Sequence, residues 1–100
     1  MKVIDLWKSM RVLGMDQRVV RVLAENMKLE EIKVYARKCF RKQVFDGHPD
    51  KGGDEERAVN LIRESKRAKD VICSQTSTKL FLARADEEFR QVMELLESLI

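Results

Sequence analysis

One short tract of this chain concentrates the residue types that could do chemistry. Residues 46–54 read DGHPDKGGD and contain the only histidine, the only proline and three of the four glycines. His48 offers a hydrogen-bond donor and an acceptor, and Asp50 offers an acceptor with a negative charge. Pro49 fixes its own φ and biases His48 towards an extended backbone. The tract is therefore predicted to be a loop that holds an imidazole and a carboxylate in a set direction.

The segment before this loop is patterned as an amphipathic helix over residues 29–45. On a wheel of 100° per residue, one side collects the mainly apolar residues Leu29, Ile32, Tyr35, Ala36, Cys39 and Phe40. The opposite side collects the bases Lys33, Arg37, Lys38, Arg41 and Lys42. No acid interrupts residues 33–42, so the helix should carry a basic strip that leads towards the loop.

The segment after the loop is predicted to be a second long helix over residues 54–72. Asp54 can act as its N-cap, and Glu55 and Glu56 lie in its first turn, where the helix dipole favours acids. Its inward side is formed by Ala58, Leu61, Ile62, Ser65, Ala68 and Ile72. Two helices joined by a glycine-containing loop indicate an antiparallel helical hairpin.

Three further helices are predicted around this hairpin. The first covers residues 3–13 and ends at Gly14, with Val3, Leu6, Trp7, Met10 and Leu13 on one face. A short helix over residues 17–26 would have Asp16 as its cap and Val19, Val20, Leu23 and Met27 inward, although the run VVRV would also suit an extended strand. The last helix, residues 79–99, has a stripe of Leu82, Ala85, Phe89, Val92, Leu96 and Leu99. The fold class is therefore all-α.

Composition narrows the class of protein without identifying a partner. The 100 residues carry 37% charged side chains and a net charge of +3, which permits an acidic partner but does not select one. Cys39 and Cys73 form neither a disulfide framework nor a metal pair, so we expect reduced thiols and a reducing compartment, either cytoplasm or nucleus. We expect no metal, no cofactor and no membrane association.

The combined pattern resembles the J domain of DnaJ-like co-chaperones over roughly residues 3–72. MRVLGM at residues 10–15 is similar to the end of the family's first helix, and LEEIK at 29–33 to the start of its second. Phe40-Arg41-Lys42 stands where the family usually has Tyr-Arg-Lys, and His48-Pro49-Asp50-Lys51 matches the family's signature. IRESK at 62–66 is similar to the third helix of import-motor members. The stretch between Gly14 and His48 is longer than is usual in the family.

This resemblance implies a function in which the chain activates another protein and is not itself an enzyme. The partner would be a 70-kDa heat-shock chaperone, whose ATPase domain and linker region would be contacted by the loop and the basic strip. The residues carried over by the resemblance are His48, Pro49, Asp50 and Lys51 in the loop and Arg37, Lys38, Arg41 and Lys42 on the helix. Residues 1–74 would form the J-domain-like module, and residues 75–100 a helical extension that packs on it or serves association.

Two other functions remain open from the residues alone. The basic helix could bind nucleic acid or an unrelated acidic protein, although no known nucleic-acid-binding motif accompanies it. Alternatively, the chain could be a degenerate J fold that acts as a scaffold through residues 79–100, which could bind a second protein or a second copy. Binding to a partner that is lost when His48 is changed would distinguish the co-chaperone from both of these alternatives.

Overall fold

The fold is built from α-helices that begin and end where short-range signals place them. The structure, a computed structural model, describes residues 5–46 and 55–99. All regular structure in these two ranges is helical, in the order α1 (Asp5–Leu13), α2 (Gln17–Glu25), α3 (Leu29–Asp46), α4 (Glu55–Cys73) and α5 (Thr78–Ser98). The predicted all-α class and the five predicted helices are confirmed, although Val3, Ile4 and the predicted cap Asp54 lie outside the described residues.

The ends of α1 and α2 show why the chain turns so sharply between them. Gly14 has φ of +71°, and the N–H of Met15 donates to Met10 O at 2.9 Å, which is the hydrogen bond of a Schellman cap. Asp16 then caps α2 by accepting the Arg18 N–H at 2.9 Å. A C-cap and an N-cap two residues apart leave no room for a longer loop.

The core lies where α1 crosses the hairpin of α3 and α4. α4 packs most extensively against α1 and α3, α5 packs against α1 and α2, and α2 also packs against α3. The largest fully buried hydrophobic side chains are Leu6, Met10, Leu13, Ile32, Ile72 and Phe81. The predicted inward faces of the first, third and fourth helices are therefore confirmed among the described residues.

The inward face of α2 differs from the prediction. Val20 and Ala24 are buried, whereas Val19 is exposed and Met27 lies beyond the helix in a left-handed turn with φ of 60°. The run of β-branched residues made several faces look equally apolar, but α2 contacts its neighbours along one narrow side. The segment is helical, so the extended alternative is wrong.

The stripe predicted for the last helix is only partly correct. α5 buries Phe81 and Glu88 and half-buries Leu82, Ala85 and Val92, whereas Phe89, Leu96 and Leu99 remain exposed. The first half of α5 therefore packs on α1 and α2, and the second half extends past them. Among the described helices, none combines the length and the apolar character needed to span a lipid bilayer.

Candidate partner-binding ridge on α3

The candidate site is an exposed row of cations on the second half of α3. Leu29, Ile32 and Ala36 are buried against the neighbouring helices, which turns the opposite side of α3 to solvent. All four basic residues predicted on that side as binding residues are exposed: Arg37, Lys38, Arg41 and Lys42. These four residues are called the cationic ridge below.

The fifth predicted base does not belong to the ridge. The Lys33 side chain is only 14% exposed, and its Nζ lies 3.5 Å from Glu30 Oε1. Within the part of the chain that the structure describes, none of the four ridge residues forms an ion pair. Among residues 5–46 and 55–99, their only hydrogen bond is a long one, from Arg41 Nε to Arg37 O at 3.4 Å. The ridge charges are therefore available to an external acidic surface.

Phe45 adds an apolar side chain to the ridge that the sequence prediction missed. It is 63% exposed, one turn beyond Arg41 and Lys42 and one residue before α3 ends. At 100° per residue it falls between Arg41 and Lys38 on the wheel. Placing Phe45 on the wheel of residues 29–45 would have revealed it. Aromatic side chains next to cations are frequent anchors of protein interfaces.

Contacts with α4 and with the start of α2 hold α3 in place behind the ridge. Tyr35 Oη accepts the backbone N–H of Asp16 at 2.7 Å, which ties α3 to the start of α2. On the α4 side, the Lys69 ammonium lies 4.9 Å from the centre of the Phe40 ring, a cation–π contact. The ridge is thus mounted on a helix that is fixed from both sides, which lowers the entropy lost when a partner binds.

The four predicted loop residues His48, Pro49, Asp50 and Lys51 lie outside the described residues. The flanking helices locate the tract in the chain: α3 ends at Asp46, just after the ridge and Phe45, and α4 begins at Glu55. The ridge is therefore on the helix that runs directly into the predicted loop. The roles of the loop residues stay predictions.

The remaining chemistry-bearing residues are two free thiols. Cys39 and Cys73 are both half-buried. Burial raises the pKa of the Cys39 thiol, and the opposing effects of Tyr35 and Lys42 are smaller, so Cys39 is protonated at neutral pH and a poor nucleophile. In residues 5–46 and 55–99, no group of three or more His, Cys, Asp or Glu side chains is arranged to hold a metal ion.

Comparison of the chain with protein-family models, with curated proteins and with solved structures found no match.

Proposed function

We propose that this chain is a J-domain co-chaperone that binds a 70-kDa heat-shock chaperone and stimulates its ATP hydrolysis. The observation that carries the proposal is the exposed cationic ridge, which has no ion-pair partner among the described residues, on the helix that leads into His48-Pro49-Asp50. The hairpin of α3 and α4, with α1 across it, gives the ridge a rigid support. The two free thiols support a reducing compartment, cytoplasm or nucleus.

In this proposal the two parts of the surface have different roles. The ridge attracts an acidic face of the ATPase domain and sets the orientation of binding, and Phe45 adds apolar contact area. His48 and Asp50 then contact the partner near its linker, where a hydrogen-bonding imidazole and a carboxylate favour the state that hydrolyses ATP. All bond-making and bond-breaking take place in the partner, so this chain is an activator and not an enzyme.

The experiment is single-turnover ATP hydrolysis by purified 70-kDa heat-shock chaperones, with and without this protein. We expect the wild-type chain to raise the rate and the variants His48→Gln and Asp50→Asn to lose at least about tenfold of that stimulation, since a hydrogen bond to a charged group contributes about 1.5–3 kcal/mol. Lack of stimulation by the wild-type chain, or stimulation by either variant that equals that of the wild type, would contradict the proposal.

A matched pair of charge reversals tests the ridge separately. The double variant Arg41→Glu/Lys42→Glu removes two cations next to the loop. The double variant Arg63→Glu/Lys66→Glu makes the same change in net charge at exposed positions of α4. We expect the first to weaken binding and to abolish most of its salt dependence, and the second to act only through long-range charge, which salt screens.

The main rival, nucleic-acid binding through the ridge, is favoured by the same four exposed cations. It predicts salt-sensitive binding that is lost on reversal of the ridge charges and is unchanged by His48→Gln. A scaffold acting through α5 predicts the converse, since Leu96→Glu on the exposed second half of α5 would abolish function while both the ridge and His48 could be changed freely. The three sets of variants therefore give three different patterns.

A further inference from the structure

The second half of α5 presents an apolar face that the rest of the described chain leaves uncovered. Five of its side chains are exposed and one is half-buried: Phe89, Met93, Leu95, Leu96 and Leu99, with Val92. On the helical wheel these six occupy one side, and Arg90, Glu94, Glu97 and Ser98 occupy the other. We call the six residues the distal stripe.

The distal stripe continues a face that is already in use within the chain. Phe81 is 1% exposed and Glu88 2% exposed, both on the side of α5 that packs on α1 and α2. On the wheel, the distal stripe points in the same direction as these two residues. Exposure then rises along α5 to 51% at Leu96 and 81% at Leu99, because α1 and α2 do not extend that far. A helix with this pattern normally buries the whole face.

The spacing of the stripe is symmetric about Glu94, and this symmetry selects the occupant. Phe89 and Leu99 are each five residues from Glu94, Val92 and Leu96 are each two residues away, and Met93 and Leu95 are its direct neighbours. We propose that the distal stripe pairs with the distal stripe of a second copy of this chain, with the two helices antiparallel. In that register Val92 meets Leu96 near the centre of the stripe and Phe89 lies diagonally across from Leu99, whereas Met93 and Leu95 lie on opposite flanks.

Charges at the edge of the stripe fit the same register. Antiparallel helices related by a twofold axis bring the same flank of each helix together. Arg90 and Glu97 lie on one flank, and Arg90 of one copy is level with residue 98 of the other, one residue from Glu97. The register therefore places opposite charges along the same outer rim of the pair. Arg90 already contacts Glu87 at 2.6 Å and Glu94 at 3.5 Å, so it would share its donors.

The size of the stripe sets the expected strength of the pairing. Six large side chains, most of them about half exposed, present on the order of 500 Å² per copy, which is in the range of the largest apolar patches on monomeric proteins. A pair would bury about 1,000 Å² in total, at the lower limit for specific interfaces. The dimer should therefore be weak and depend on protein concentration.

Sedimentation velocity of the full chain, from low micromolar to near-millimolar concentration, tests the proposal. We expect a monomer–dimer equilibrium that Leu96→Glu weakens by at least about 30-fold, as for a central apolar contact. The matched control is Leu80→Glu, because Leu80 is 69% exposed on the same helix but lies on its polar side. A chain that stays monomeric at every concentration would overturn the proposal, as would a dimer that Leu96→Glu leaves intact.

Cross-linking tests the orientation of the two copies. One protein would carry Phe89→Cys and the other Leu99→Cys, both with Cys39→Ser and Cys73→Ser to remove the native thiols. When the two are mixed and oxidised, we expect the mixed disulfide to form in excess over either symmetric one. Each variant cross-linking chiefly to itself would indicate parallel helices and overturn the proposal. This inference does not depend on the proposed co-chaperone function, since neither experiment involves the ridge or the loop.

Discussion

The Glu88 carboxylate, near the middle of α5, caps the amino end of α1, where its Oε1 accepts the backbone N–H of Leu6 at 2.8 Å. The same oxygen accepts the N–H of Trp7 at 3.2 Å. Oε2 is buried and lies 3.3 Å from Arg84 Nε, an ion-pair distance without hydrogen-bond geometry. A residue 82 positions away in the chain thus satisfies two of the free N–H groups that begin α1. This contact joins the terminal helix to the helix that crosses the hairpin.

We predict that Glu88→Ala lowers the free energy of unfolding by about 2–3 kcal/mol, because two N–H groups lose a charged acceptor in a buried site. Urea unfolding followed by fluorescence measures the change, and Trp7, the only tryptophan, lies at the contact itself. Glu94→Ala is the control, since Glu94 is exposed and only 3.5 Å from Arg90, an arrangement that contributes less than about 1 kcal/mol. Equal effects of the two substitutions would contradict the assignment.

Gly14 and Met27 occupy equivalent positions after α1 and α2 and should respond in opposite ways. Both have positive φ, at 71° and 60°, and both end their helix with the same pair of hydrogen bonds. Gly14→Ala should cost about 1 kcal/mol through φ alone, because its Cβ would meet only Gln43 Nε2 at an ordinary 3.5 Å. Met27→Gly should stabilise the protein by about 0.5–1 kcal/mol, since glycine relieves the backbone strain of positive φ and the Met27 side chain buries little apolar surface. Thermal unfolding of both variants tests this prediction, and changes in Tm of the same sign would refute it.

Ser65 is a buried hydroxyl in the hairpin whose Oγ finds no hydrogen-bond partner among the described residues. It is 0% exposed and faces the core with Ala68 and Ile72. Ser65→Ala should therefore raise the free energy of unfolding by about 1 kcal/mol, because an unsatisfied polar group leaves the interior. Ser74→Ala, where the exposed Oγ donates to Val71 O at 2.8 Å, is the control and should change it little. Loss of stability at Ser65 would show that the hydroxyl has a partner.

Asp16 should make stability depend on pH in the acid range. Hydrogen bonds from the Arg18 side chain and then from its backbone N–H lower the pKa of Asp16 below its ordinary value of 3.8. A carboxylate with a lowered pKa in the folded state stabilises the protein at pH values above its pKa in the unfolded chain. This contribution is lost as the pH falls through the pKa of the folded state. The stability difference between wild type and Asp16→Asn should therefore be constant near neutral pH and shrink below about pH 3.8. Urea midpoints over a pH series measure it, and a constant difference down to pH 2 would disprove the linkage.

Sequence periodicity predicted the helices well but could not decide which apolar faces are covered. Phe89 and Leu96 continue the three- and four-residue steps that include Leu82 and Ala85, yet only the latter pair packs on the body of the chain. The difference depends on where α1 and α2 end in space, which no local pattern contains. The burial of Glu88 was not predicted, for the opposite reason. A carboxylate is read as solvated unless its partner is known, and here the partners are backbone N–H groups distant in sequence.

The candidate site on α3 was also predicted in part. Arg41 and Lys42 were found because the apolar side of α3 fixes the opposite side by helix geometry alone. Lys33 was predicted on the basic strip but not as a binding residue, and its long side chain instead folds back to Glu30 and becomes largely buried. Phe45 was missed because an aromatic residue at a helix end was not placed on the wheel. Side-chain conformation separates Lys33 from the ridge, whereas helix phase alone would have placed Phe45 on it.

The most direct measurement of the central claim is the single-turnover rate of ATP hydrolysis by a 70-kDa heat-shock chaperone with saturating wild-type chain and with saturating His48→Gln. Saturation removes the contribution of the ridge to affinity, so the comparison isolates the loop. The co-chaperone account predicts a large rate increase with the wild-type chain and a return towards the unstimulated rate with His48→Gln. Identical rates with the two proteins would contradict it.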